Sequence, residues 1–194
     1  VRHLTDGLAE WTLSEGTPIE QFLGPALHQG RQGVRWAVVE PVADGFAIAY
    51  HLGLDDGGAD LSDLAALPPL DPQADDTGGV VARASKPVEA LSLAAELFGA
   101  GHDEWVNVGE AVEEYRDYVH YARLPFPLGH DAAVHVVQRI FAAESDDLVL
   151  GWTVAGLEQQ TGCAHLGDLI FHAAPEHTAE EIVDHAWNCR PIEL

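Results

Sequence analysis

The chain has 194 residues, 47% hydrophobic and 21% charged, which suits one or two folded domains with a real core. Thirty-two acids against nine bases give a net charge of −23, so a basic nucleic-acid footprint is absent, and binding to DNA or an anionic membrane through phosphates is not expected. The apolar runs fall short of a membrane span, and no basic segment leads into an apolar one near the start. The expectation is therefore no membrane, no signal peptide and a cytoplasmic chain, soluble by charge and suited to a basic partner. Two cysteines, Cys163 and Cys189, do not make a disulfide framework.

Elements follow in chain order. Apolar spacing predicts helices around Leu4–Leu13 and Ile19–Leu27. The period then changes. The β-rich run Val34–Val39, the turn pair Asp44-Gly45 and the run Phe46–Leu52 predict a hairpin. Asp55–Asp76 is acidic and rich in Gly and Pro, which reads as solvated loop with a helical turn near Leu61–Ala66. Gly79–Ala84 reads as a third strand. Ser85 as cap and Pro87 in the first turn open a helix that Gly99 ends, and a further helix fits Gly109–Ala122. Trp105, Tyr115, Tyr118 and Tyr121 are expected in the core, with Trp36 and Tyr50 packing the hairpin on the helices.

Leu124–Gly129 breaks the pattern and marks the expected boundary. Beyond it Asp131 caps one helix and Ser145-Asp146-Asp147 opens a second, which stops at Gly162. Asp168–His172 is a short element. Thr178-Ala179-Glu180-Glu181 is a capping box for a last helix, stopped by Arg190-Pro191. The fold expectation is α+β: a mixed domain with a hairpin or small antiparallel sheet over 1–124, then a small four-helix domain over 125–194. The first carries a net charge of −14 and the second −9.

On the second C-terminal helix, Asp147, Leu150, Gly151, Val154 and Glu158 line one side, while Val149, Trp152, Thr153 and Leu157 can face a core. A plain structural alternative makes Leu150 and Val154 core and leaves the acids solvated. The next element, Gly167-Asp168-Leu169-Ile170-Phe171, with His172 in place of a second aromatic, resembles the short third helix of the colicin/pyocin-type nuclease immunity proteins. Thr178 to about Cys189 sits where that family starts its last helix, and Arg190–Leu194 resembles the ends of its short members. The resemblance covers about the last third of the chain, and residues 1–124 have no counterpart in those small proteins.

What the resemblance implies is an immunity protein, a non-enzymatic inhibitor of a cognate toxin. Asp168, Phe171 and His172 would be the shared anchor. Asp147, Leu150, Gly151, Val154 and Glu158 would be the specificity-setting face. Asp168 can accept hydrogen bonds from a basic toxin, and Phe171 supplies a rigid apolar anchor. His172 weakens that anchor and adds an ionisable imidazole; Gly151 offers no side chain. The toxin expected is a basic nuclease, with an NAD-cleaving toxin left open.

Two alternatives stand beside this reading. An acidic regulatory or binding module could hold zinc: the ligand candidates are Cys163, His165, His172, His177, His185 and Cys189, and His185 and Cys189 at i, i+4 can share an ion with Cys163 and His165. The expectation adopted is no metal and no cofactor, with a cysteine buried on each element and histidines on the surface. An enzyme is the other alternative, given His102-Asp103-Glu104, Asp55-Asp56 and His130-Asp131. No Gly-x-Ser-x-Gly, P-loop or GxGxxG accompanies them, and the acidic loop lacks EF-hand spacing.

Overall fold

The computed structural model describes residues 3–58, 60–142, 147–172 and 177–189. The fold is α+β, with a five-stranded antiparallel sheet and seven α-helices among the described residues. The chain divides into two compact units, 1–119 and 120–194.

In the first unit α1 (Asp6–Ser14) precedes three long strands, β1 (Ile19–His28), β2 (Arg31–Val42) and β3 (Gly45–Leu54). Then come β4 (Gly78–Ala84), α2 (Pro87–Phe98), the two-residue β5 (Val106–Asn107) and α3 (Ala111–Asp117). The strand order is β4-β3-β2-β1-β5. The expected hairpin is β2–β3, paired from Val42↔Gly45 to Gly33↔Leu54 with Ala43 and Asp44 as its loop. The expected third strand is β4.

The segment Ile19–Leu27 is a strand, not the helix its spacing suggested. Its residues are buried continuously from Ile19 to Ala26, so the alternation that marks a half-buried strand is lost. Ile19 and Leu23 enter the core that α1 and α2 cover, together with Ala37, Val39 and Ile48. Phe22 packs on the opposite face against Tyr115 and Tyr118, with ring centroids 6.0 and 5.7 Å away. A register shift between Phe22 and Pro25 bends the strand. Pro25 is tolerated because β5 pairs only with Ile19 and Glu20, which leaves that end of β1 at an edge.

Tyr50 stacks on Phe98 of α2, as expected, at 4.5 Å. Trp36 lies on the other sheet face, stacked on His51 at 4.9 Å. Asp55–Asp76 is not simply solvated loop. A 3-10 turn at Leu64–Ala66 and the following residues bury Leu64, Leu67 and Leu70. Tyr121 is exposed, unlike Trp105, Tyr115 and Tyr118. α2 is capped at Lys86 rather than Ser85; Ser85 instead donates its N–H and hydroxyl to Glu89 Oε2.

In the second unit α4 (His130–Phe141), α5 (Asp147–Thr161), α6 (Leu166–His172) and α7 (Ala179–Asn188) share a core. Val137, Leu157, Leu166, Ile170 and Val183 are its most enclosed large side chains. α4 begins two residues earlier than expected, with Gly129 at its cap and Asp131 in its first turn. Gln160 braces the preceding segment: its Nε2 donates to Pro125 O and its Oε1 accepts from Leu128 N. The Thr178–Glu181 capping box is present, with both reciprocal bonds made. Ser145, Asp146, Arg190 and Pro191 lie outside the described residues. Among those described, no helix is long and apolar enough to cross a membrane.

Candidate protein-binding face and thiol–imidazole cluster

α6 is short and lies against α5 because Gly167 lacks a side chain. A Cβ there would sit 3.2 Å from Val154 Cγ1, and the Gly167 N–H donates to Glu158 Oε1 at 3.0 Å. Leu166 and Ile170 point into the core. The opposite side carries Asp168, Phe171 and His172, all exposed, with Phe171 at 51%. Spacings of three and four make these three neighbours on one helix face.

The α5 residues divide. Asp147 and Gly151 are exposed. Leu150 is half-buried against the core, and Glu158 is occupied by the start of α6. Val154 does not belong to the outer face: it is 8% exposed and packs in the core. The reason is that α6 folds back over this part of α5, so a stripe that looks solvent-facing on an isolated helix is covered. Val149, Trp152, Thr153 and Leu157 are buried as expected.

A pocket of about 260 Å³ opens nearby, lined by Leu169, His177, Glu181, Ile182 and His185. Residues 177, 181 and 185 fall at intervals of four, as does Cys189. That stripe is visible in the sequence.

The tight turn after α5 brings a second group together. Gly162, at φ 74°, takes the left-handed conformation that ends the helix. Cys163 then turns inward and His165 outward just before α6. His165 Nε2 lies 3.7 Å from Cys163 Sγ and 3.7 Å from Cys189 Sγ, at the end of α7. These three ligand-type atoms lie within 4.8 Å of one another. The His185 ring centroid is 6.1 Å from that of His165, the planes inclined at 72°. Burial, with Cys189 beside it, pushes the Cys163 thiol up to about 11. Cys189 is half-buried and both histidines are exposed.

The histidines of the acid–histidine clusters also reach carboxylates far along the chain, while His130 Nδ1 keeps Asp131 Oδ1 at 3.7 Å. His102 Nδ1 meets Asp6 Oδ2 at 2.7 Å, and His130 Nε2 meets Asp184 Oδ1 at 2.8 Å; both pairs are exposed. Asp55 accepts from the hydroxyls of Tyr115 and Tyr118 at 3.1 and 3.2 Å. The most enclosed acids were not singled out from sequence. Glu20 accepts from the N–H groups of Gly109 and Ala111 at the start of α3, and Glu114 bonds His3 at 2.5 Å. Burial pushes the pKa of both carboxyls up. No family model, no curated protein and no solved structure matches this chain.

Proposed function

We propose that this chain is an immunity-type inhibitor, which binds a basic nuclease toxin through the exposed face of α6 and adjoining residues of α5. The observation that carries this reading is the placement of Asp168, Phe171 and His172. A carboxylate, an aromatic ring and an imidazole stand side by side on one face of α6, turned away from the core that Leu166 and Ile170 fill. In this reading α4–α7 form the four-helix bundle of that family and α6 is its short third helix.

The chemistry suits a basic partner. Asp168 takes charge-assisted hydrogen bonds from arginine or backbone N–H groups, and Phe171 fills an apolar pocket. A surface of net charge −23 speeds encounter with a cationic enzyme and repels its anionic substrate. Inhibition then needs no chemistry from the inhibitor, only occupation of the toxin surface. In this reading Asp147 meets the partner at the edge of the contact, Gly151 offers only backbone there, and Val154 has no part in it.

Titration calorimetry against the toxin tests the assignment. Asp168→Ala and Phe171→Ala are each expected to weaken binding by about 2 kcal/mol or more, roughly thirtyfold. Far-UV circular dichroism should be unchanged, because both residues are exposed. Full affinity in both variants removes α6 from the interface.

A further inference from the structure

We infer that Cys163, His165, His185 and Cys189 form a tetrahedral zinc site that fastens the α5–α6 turn to the C-terminal end of α7. This is independent of the inhibitor reading. The donor set is two thiols and two imidazoles, which selects zinc among divalent ions. Three of the four donors stand close to the geometry of a filled site. Zinc–sulfur and zinc–nitrogen bonds of about 2.3 and 2.05 Å at tetrahedral angles put S and N about 3.6 Å apart. Both Sγ–Nε2 distances here are 3.7 Å. One nitrogen thus already stands at ligand-edge distance from two sulfurs that arrive from different elements.

His185 supplies the fourth donor. Two imidazoles bound through ring nitrogens to one tetrahedral zinc have centroids about 5 Å apart. The observed 6.1 Å leaves about an ångström of closure, within reach of a small change of an exposed ring. His185 and Cys189 are one helical turn apart, so α7 presents both donors to the same side. Cys163 and His165 flank Ala164 in the turn, a short chelate whose backbone is held by Leu166 N–H donating to Cys163 O at 3.1 Å. The four ligands therefore come in two pairs, as in structural zinc sites.

The burial pattern fits a structural rather than a catalytic ion. Cys163 is enclosed by the core, and four protein donors leave no coordination position for substrate. Zinc would cross-link two segments 24 residues apart and hold the end of α7 on the turn.

Purified, reduced, tag-free full-length chain tests this by zinc titration against a chromophoric chelator, with cobalt as a spectroscopic probe. The expected result is one ion per chain and a higher melting temperature with zinc. Cobalt should show ligand-field bands of a tetrahedral ion and thiolate-to-cobalt charge transfer. Cys189→Ser and His165→Ala are expected to bind at least about a hundredfold more weakly. His165→Ala keeps the test valid if loss of a cysteine disturbs folding, since His165 is exposed. Sub-stoichiometric uptake overturns the site, as does affinity unchanged in both variants, which would place the ion elsewhere on the acidic surface. A Cys163–Cys189 disulfide whose reduction restores no zinc uptake overturns it too.

Discussion

Glu20 is a carboxylate in a place where few carboxylates are found. It is 7% exposed, and its Oε1 takes the N–H groups of Gly109 and Ala111 at 2.7 and 2.8 Å. Those bonds favour the ionised form, but burial outweighs them and raises its pKa. The acceptor matters more than the charge. Glu20→Gln keeps a carbonyl oxygen in reach and should change stability at pH 7 by less than about 0.5 kcal/mol, whereas Glu20→Ala leaves both donors unmet and should cost about 2 to 3 kcal/mol. Urea unfolding of the two variants checks the difference. No sequence pattern announces this role, because the donors lie some ninety residues away and meet Glu20 only through the sheet. The outward place of Asp168 and Phe171 was legible for the opposite reason. They sit on a short helix whose apolar partners, Leu166 and Ile170, fix its inner face locally.

At the level of elements, strands bounded by clear turns were readable and the strand enclosed on both faces was not. β2 and β3 meet at a two-residue loop and run in unbroken register. β1 presents Ile19, Phe22, Leu23, Ala26 and Leu27 at spacings that also describe a helix, and only its position between two packed layers makes it a strand. Val154 is a related case: the pattern allows it a core place or an outer one, and α6 returning across α5 decides for the core. The start of β3 offers a sharp test. Gly45 has φ 128°, and a Cβ there would lie 2.2 Å from the Ala84 carbonyl oxygen of the neighbouring strand. Gly45→Ala must shift backbone on both strands, and a loss of about 2 kcal/mol or more is expected in denaturant unfolding.

For the whole molecule, charge is the dominant property. Arg31 and Arg35 spend their guanidinium groups on backbone carbonyls, and Arg116 divides its own between the Leu61 carbonyl and Glu113, so part of an already small positive complement is used within the fold. The remaining surface repels itself, and stability should rise with ionic strength. The pH dependence follows from individual groups. Asp6 raises the pKa of His102 and Asp184 that of His130, while burial raises Glu20 and Glu114. A raised folded value means a contribution that is present in full at lower pH and is lost as pH climbs through it. Asp6, Glu89 and Glu181 are lowered, so theirs is lost as pH falls. His51, half-buried against Trp36, is also lowered and works against acidification. With more groups and the net charge on the other side, the melting temperature is expected to increase from pH 8 to pH 6 and to peak between about pH 5 and 6. A thermal scan in which stability falls steadily over that first interval would contradict this balance.

The most direct measurement is a side-by-side purification, from the source cells, of the natural chain and an Asp168→Ala/Phe171→Ala double variant. Co-eluting protein is identified by mass and assayed after separation. The natural chain should bring down one equivalent of a basic protein whose nuclease activity appears on release, and the double variant should not. A natural chain that elutes alone, or a variant that retains the same partner, would contradict the assignment of α6 as an inhibitory face.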